Sequence, residues 1–403
     1  MLDRASSVRV VGPLAAYAPE FRNHLGELGY AASSAATHMI LMAQLGRWLT
    51  AAGVELSELT ADQLERFLSM NRAAGHRFPK SAEGATRLVT FLRSIAVIPD
   101  APAVMLTTIE RLVERFGEYL TNERGLAAGT IWNHQHAARL FFGTLDPSVL
   151  ADLSRLEPTN VHRFVLGESQ RRSVASAKCV VVGVRALLRF FHVEGITNAA
   201  LAGAAPTVAG GSGTWLPRGV DAPTVHRMLA SCDRASVHGC RDYAVLLLLS
   251  RLGLRVSEVA ALRLDDIDWH HGEVLIRGKA QRLERLPLPV DVGRALAAYV
   301  RDARPRITHR DLFCRVIAPN GGLGRGAVIM IVQAACGRAG IDPPIAAHRL
   351  RHSVATDLLR AGAGLPEIGQ LLRHRSMAST AVYAKVDIVA LRSLARPWPG
   401  ASS

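Results

Sequence analysis

Cysteine is scarce in this sequence: there are five in 403 residues, Cys179, Cys232, Cys240, Cys314 and Cys336, an odd number with no Cys-x-x-Cys pair. That pattern indicates neither a disulfide framework nor a zinc site, so all five are expected to be reduced and mostly structural. The fifteen histidines form no His-Glu-x-x-His or similar ligand spacing, and no metal or other cofactor is expected. Long apolar runs are missing too. Runs such as Ala244 to Leu249 and Cys179 to Val184 fall far short of the ~20 residues that span a bilayer. No basic amphipathic anchor is evident, and Met1-Leu2-Asp3-Arg4 lacks a signal-peptide pattern, so a cytoplasmic location without a membrane partner is expected. Acidic residues are outnumbered, 34 against 48 Lys and Arg, leaving a net charge of +14. Such an excess suits a polyanionic partner and draws it in from a distance.

With 49% hydrophobic residues, the chain can bury two or three cores. Ile98-Pro99-Asp100-Ala101-Pro102 breaks one helical region, and the stretch from Gly203 to Gly219, with Gly210-Gly211-Ser212-Gly213 inside it, reads as a flexible linker. The expected divisions are a helical bundle over 1–101, a second over 102–202, a linker over 203–219 and a final domain over 220–403.

The first two parts look like repeats of one another at an offset of about 96 residues. Gly29-Tyr30-Ala31-Ala32 opens one and Gly125-Leu126-Ala127-Ala128 the other. Each continues through an apolar helix (Met39 to Leu49; Ala137 to Leu145) and a second carrying Leu64 and Phe67, or Val161 and Phe164. Each ends in a basic helix, Lys80 to Ile95 and Arg171 to Phe191, in which Leu92-Arg93 matches Leu188-Arg189. Apolar spacings of three and four, as in Val184, Leu187, Leu188 and Phe191, make both segments helical bundles. Taken singly, Arg171, Arg172, Lys178 and Arg185 would be a solvated helix face. Together with Lys80 and Arg87 they favour phosphate contact, because affinity for a duplex comes largely from charges that release counterions.

Beyond the linker, Ala222-Pro223-Thr224 starts a helix, and Arg241 to Leu249 forms a strongly apolar one ending near Gly253. Val274-Leu275-Ile276 and Leu286-Pro287-Leu288 bracket Gly278-Lys279-Ala280-Gln281-Arg282, a β-hairpin with a basic tip. Helices then dominate. The fold class expected overall is mainly α with a small β-sheet.

Near the end, His348-Arg349-Leu350-Arg351 is followed by Leu372-Arg373-His374 and Thr380-Ala381-Val382-Tyr383. A phosphate in mid-reaction needs cations around its oxygens. Arg supplies a permanently charged fork, His a proton carrier near neutral pH, and Tyr a hydroxyl able to attack and hold phosphorus. Arg255, in Gly253-Leu254-Arg255-Val256-Ser257-Glu258, read alone would be a surface arginine paired with Glu258 three positions on. Tyr383 read alone would be a buried helix tyrosine with a satisfied hydroxyl.

Read together, these positions resemble the tyrosine recombinase, or phage integrase, family. The first box is similar to Gly-Leu-Arg-Val-Ser-Glu at 253–258, the second to His348-x-Leu350-Arg351, and the last to Leu372-x-His374 with Thr380 and Tyr383. They occur in family order, with Lys279 in a hairpin after Arg255, and the likeness covers about Asp221 to Leu394. The resemblance implies a SAM-like core-binding bundle at about Thr107 to Ala200 ahead of a catalytic domain, with Met1 to Pro99 as an additional bundle. It implies that Tyr383 forms a 3′-phosphotyrosyl bond with double-stranded DNA, keeping the bond energy for religation, while Arg255 and Arg351 clamp the non-bridging oxygens. Lys279 would protonate the leaving 5′-oxygen, His348 would assist proton removal from Tyr383, and His374 would donate to a phosphate oxygen. Glu258 would orient the basic residues. Arg373 stands where the family often has Gly and could contact DNA, whereas His352 reads as a packing or capping residue. The implied assembly is a homotetramer on two DNA sites, with accessory or related recombinase proteins as further partners. Val386 to Trp398 would pack on a neighbouring protomer or on its own domain, and a mobile-element integrase is the expected setting. The rival readings are a type IB topoisomerase and a catalytically silent DNA-binding accessory protein.

Overall fold

The computed structural model describes residues 8–73, 82–99, 106–210, 219–278, 282–374, 376, 380–381 and 383. Its backbone forms two compact units. One is Ala101–Thr214, and the other joins Met1–Asp100 with Trp215–Ser403.

The amino-terminal bundle consists of α1 (Ala18–Glu27), α2 (Ala32–Ala52), α3 (Ala61–Ala73) and α4 (Ala82–Ser94). Apolar positions three and four apart turn Phe21, Met39, Met42, Phe67 and Leu88 into one core. Gly53, at φ +63°, ends α2 in the left-handed region, and Val54 N–H reaches back to Leu49 O at 3.1 Å, a standard way to satisfy a helix's last carbonyls. Asn320 N–H, from the carboxy-terminal part of the same unit, donates to Leu28 O at 2.8 Å.

The unit Ala101–Thr214 holds α5 (Thr108–Asn122), α6 (Ala128–Phe142), α7 (Pro147–Ala151), α8 (Pro158–Arg171) and α9 (Val174–Val193). Thr107 Oγ1 caps α5 by accepting from Glu110 N–H at 3.1 Å. Helices α6 and α9 approach closely at Gly183, where a Cβ would sit 2.6 Å from Ala137 Cβ. The helix order α1, α2, α3, α4 recurs here as α5, α6, α8, α9. Gly29 (φ +79°) and Gly125 (φ +54°), 96 positions apart, both take the left-handed conformation before the second helix of their bundle.

Two expectations are corrected in this unit. The basic stretch from Arg171 to Phe191 is not one helix, because Ser173 breaks it and caps α9 by accepting from Ser176 N–H. The start of the proposed linker is packed rather than free. Ala205 is buried against the bundle core with Ala204 and Val208 packed beside it, Arg185 donates to Ala205 O and Thr207 Oγ1, and Lys178 Nζ donates to Gly210 O. Apolar side chains at 204, 205 and 208 give that segment something to bury, which its Gly and Pro content conceals. Residues 211–218 lie outside the described residues.

The carboxy-terminal part carries α10 (Ala222–Ala230), α11 (Val237–Arg251), α12 (Val256–Ala260), α13 (Val290–Ala298), α14 (Arg325–Arg338), α15 (Ala347–Arg360) and α16 (Leu365–Leu371). Between α12 and α13 runs an antiparallel sheet in the order β1 (Ile267–Asp268), β2 (Glu273–Arg277), β3 (Leu283–Pro287), with Leu275 opposite Arg285. The β2–β3 hairpin matches expectation, and β1 is an addition too short to leave an alternating pattern. The middle of helix α11 is apolar on every side because it is central: Ala244 to Leu249 are all buried, and the helix packs on α13, α14 and α15. Each such leucine contributes about 1.5–3 kcal/mol by leaving water, which makes α11 a stiff platform for the loop that follows it. Among the described residues no helix is long and apolar enough to cross a membrane.

Candidate active site

Three helix ends meet beyond α11. Gly253 turns the chain at φ +56°, and Arg255 then serves as N-cap of α12. Glu258, at the third position of that helix, reaches back to accept from Arg255 N–H at 2.7 Å and also takes Arg255 Nη1 at 2.5 Å. Reaching back to the cap N–H satisfies an orphan donor of the helix start and fixes the arginine's root. The side chain of Glu258 is 3% exposed. Burial alone would raise its pKa, but Arg373 and the hydrogen bonds from Arg255 and Arg373 outweigh that and hold it below the usual glutamate value.

Helix α15 supplies the second arginine. Arg351 is buried, with Nη1 donating to Gly253 O at 2.5 Å and Nη2 donating to Leu372 O. It therefore ties the turn after α11 to the end of α16. Burial, then Arg255 and Arg373, lower its pKa to about 10, which still leaves it charged at neutral pH. Leu350, beside it, points into the α11 core, so the register of α15 is set by packing.

Helix α16 ends with Arg373 in the left-handed region (φ +54°) and His374 N–H bonded back to Gly369 O at 2.9 Å. That is the C-terminal geometry for which glycine is preferred. His374 Nδ1 lies 2.7 Å from Thr380 Oγ1, and its ring runs parallel to that of Tyr383 at 6.2 Å. Burial, then Arg351 and Arg255, push His374 down to about 4. Tyr383 is 3% exposed, and its hydroxyl lies 2.7 Å from His352 Nδ1. Burial raises the phenol's pKa against the pull of Arg351. Burial also lowers that of His352, helped by His348, Arg351 and Arg349, so its imidazole is neutral at physiological pH and has a lone pair to offer.

Of the expected residues, Arg255, Arg351, His374 and Tyr383 come together here. His348 is exposed and meets His352 edge to face at 5.5 Å, one ring removed from the phenol. The imidazole at Tyr383 is thus His352, read from sequence as packing; the i, i+4 spacing from His348 on one helix face was the available signal. Lys279 and Lys80 lie outside the described residues. Strand β3, on the hairpin that carries Lys279, lends Glu284 to a cavity of about 390 Å³ lined also by Pro366, Gly369, Gln370, Arg373 and His374.

Arg87 is half-buried on α4, and Arg171 and Arg172 both stand beside Glu168. Lys178 and Arg185 hold residues 205–210, as described above. Arg373 departs furthest from expectation: its side chain is 3% exposed and donates to Glu258 Oε2 at 2.7 Å, pointing inward where a DNA contact was anticipated.

Replacing Gly253 with Ala should test this junction. A Cβ there would sit 2.8 Å from Leu372 Cδ2, in a backbone conformation that costs an L-residue about 1–2 kcal/mol. Gly253→Ala is expected to lower unfolding free energy in urea by about 2 kcal/mol or more. An unchanged denaturation midpoint would show that the turn has slack.

Comparison with known proteins gives a concordant picture. The model of the phage integrase family matches residues 219–388. The putative integrase/recombinase y4rA of Sinorhizobium fredii is 39% identical, covering 99% of this chain and 98% of its own length. Tyrosine recombinase XerD of Mycobacterium tuberculosis is 32% identical over 73% of this chain and 98% of its own. Among solved structures, XerH recombinase bound to palindromic difH substrate in a post-cleavage complex superposes with a TM-score of 0.54 at 18% identity, covering 71% of this chain and 84% of that one. A lambda integrase tetramer bound to a Holliday junction gives 0.54 at 15% identity over 74% and 85%. At such identities the structural likeness speaks for the fold.

Proposed function

Because the chain belongs to the phage integrase family of tyrosine recombinases, which cut and rejoin DNA, we propose that Tyr383 is the nucleophile of a site-specific recombinase acting through a 3′-phosphotyrosyl intermediate. The observation that carries this reading is the 2.7 Å contact between Tyr383 Oη and the neutral His352 Nδ1, beside two guanidinium groups whose roots are fixed. In the forward step Tyr383 Oη bonds to phosphorus, its proton passes to His352, and the bond to the 5′-oxygen breaks. Lys279 returns a proton to that oxygen. Religation is the reverse, so no external energy source is consumed. Arg255 and Arg351 stabilise the charge that builds on the non-bridging oxygens, where preorganised cations help most. His374, neutral before DNA arrives, donates to one of these oxygens.

The bundles over 1–101 and 102–202 would flank duplex DNA together with the domain over 220–403, and two DNA sites would be held by four protomers. The y4rA likeness, spanning both bundles, favours a role for the extra one in the working enzyme. Relatives named integrase support a mobile element as the setting. The test is covalent capture on nicked duplexes selected from randomised arms, followed by a two-site strand-exchange assay. A denaturation-resistant protein–DNA adduct and exchanged strands are expected. Relaxation of supercoils without exchange would favour a topoisomerase, and no adduct at all would refute the reading.

The depressed pKa of His374 also predicts a pH effect on the DNA-free protein. The unfolded chain binds this proton below about 6.5 and the folded chain only below about 4, so stability rises with pH between them. The contribution is complete above about 6.5 and lost as pH falls toward about 4. A His374→Gln protein should show a shallower dependence of Tm on pH across that window; parallel curves would count against it.

A further inference from the structure

Residue 373 is linked to Arg255 in two ways, one direct and one through Glu258. Its carbonyl accepts Arg255 Nη2 at 3.2 Å, and its guanidinium grips the carboxylate that holds Arg255 Nη1 and N–H. Arg373 and Glu258 are each 3% exposed in their side chains, so their charges meet away from water. Two features argue against a purely stabilising role. The backbone at 373 sits at φ +54°, where glycine would be unstrained, and Arg373 Nε is buried without a hydrogen-bond partner.

We propose that Arg373 is a positioning residue for the recombinase reaction: it neutralises Glu258, leaving the full charge of Arg255 available to the scissile phosphate. The inference rests on the function proposed above. Electrostatically, Arg255 and Arg351 face the phosphate while Glu258, a bond's length from Arg255, opposes them. An unopposed carboxylate there would subtract from the field at the phosphate and hold the Arg255 fork to itself. With Arg373 in place the buried carboxylate and guanidinium cancel, and the two phosphate-facing arginines act undiminished. Arg373 itself need not touch DNA.

The decisive set is Arg373→Gly, Arg373→Gln, Glu258→Gln and the double variant Glu258→Gln/Arg373→Gly. Cleavage rates and DNA Kd would be measured on the nicked duplexes selected by the wild type, with Tm as a check on folding. Glycine suits the left-handed backbone, and glutamine keeps much of the volume should glycine unfold the domain. Removing only Arg373 should slow covalent adduct formation by about 10- to 100-fold, with DNA Kd changed less than about threefold. Removing Glu258 as well should recover at least about fivefold of that loss, a rescue that a merely structural arginine would not show. Glu258→Gln alone should lower Tm most, because it strands a buried guanidinium. Wild-type rates in both Arg373 variants, or a double variant no faster than Arg373→Gly, would overturn the positioning role. A wild type that forms no adduct would overturn the recombinase reading and this inference with it.

Discussion

The Tyr383→Phe protein is expected to form no detectable covalent adduct, a fall of about 10,000-fold or more in cleavage rate, since loss of a nucleophile cannot be offset by binding. What makes the result interpretable is how little else changes. The ring belongs to a small cluster with Val354, Ala355, Ile368 and Leu372, and phenylalanine fills the same space. Its hydroxyl has His352 as its hydrogen-bond partner, and the imidazole is only half-buried, so losing that bond costs on the order of 1 kcal/mol. DNA affinity and Tm should stay near wild type. If Tyr383→Phe still traps labelled DNA through denaturing electrophoresis, another residue attacks.

Arg351→Ala should act on both chemistry and structure. Loss of a fixed cation at the developing charge predicts cleavage slowed by about 100- to 1,000-fold. The same change strips donors from the carbonyls of Gly253 and Leu372, and a buried polar group left unpaired costs roughly 1–3 kcal/mol. Removing Arg351 also relieves its repulsion with Arg255 and Arg373, so the net destabilisation should be a few kcal/mol at most. Arg351→Lys separates the two effects: it keeps the charge but cannot span both carbonyls as the planar fork does, and it should cleave faster than Arg351→Ala while remaining well below wild type. Equal rates in the two variants would mean that charge at this position is not what accelerates the reaction.

Much of this was legible in the residues. The resemblance of 253–258, 348–351, 372–374 and 380–383 to the boxes of one family grouped Arg255, Arg351, His374 and Tyr383, and these side chains do lie together. The helical character of both bundles followed from apolar spacing, and the left-handed glycines at 29 and 125 now share one structural position. What stayed hidden depended on contacts distant in sequence. Arg373 looked like a DNA contact because its partner, Glu258, lies 115 positions away. His352 looked like packing because nothing local says which of two imidazoles on α15 will meet a tyrosine 31 positions on. The segment 203–210 looked free because its glycines say little about the apolar side chains at 204, 205 and 208, which pack on the bundle core.

The near-complete enclosure of the phenol has a consequence for the cell. An oxygen that solvent scarcely touches is poorly reached by a duplex met by diffusion, however strongly the net charge of +14 draws it in. With Tyr383 as the proposed nucleophile, selectivity for a matching duplex resides in access to that oxygen and needs no weakening of the reaction itself.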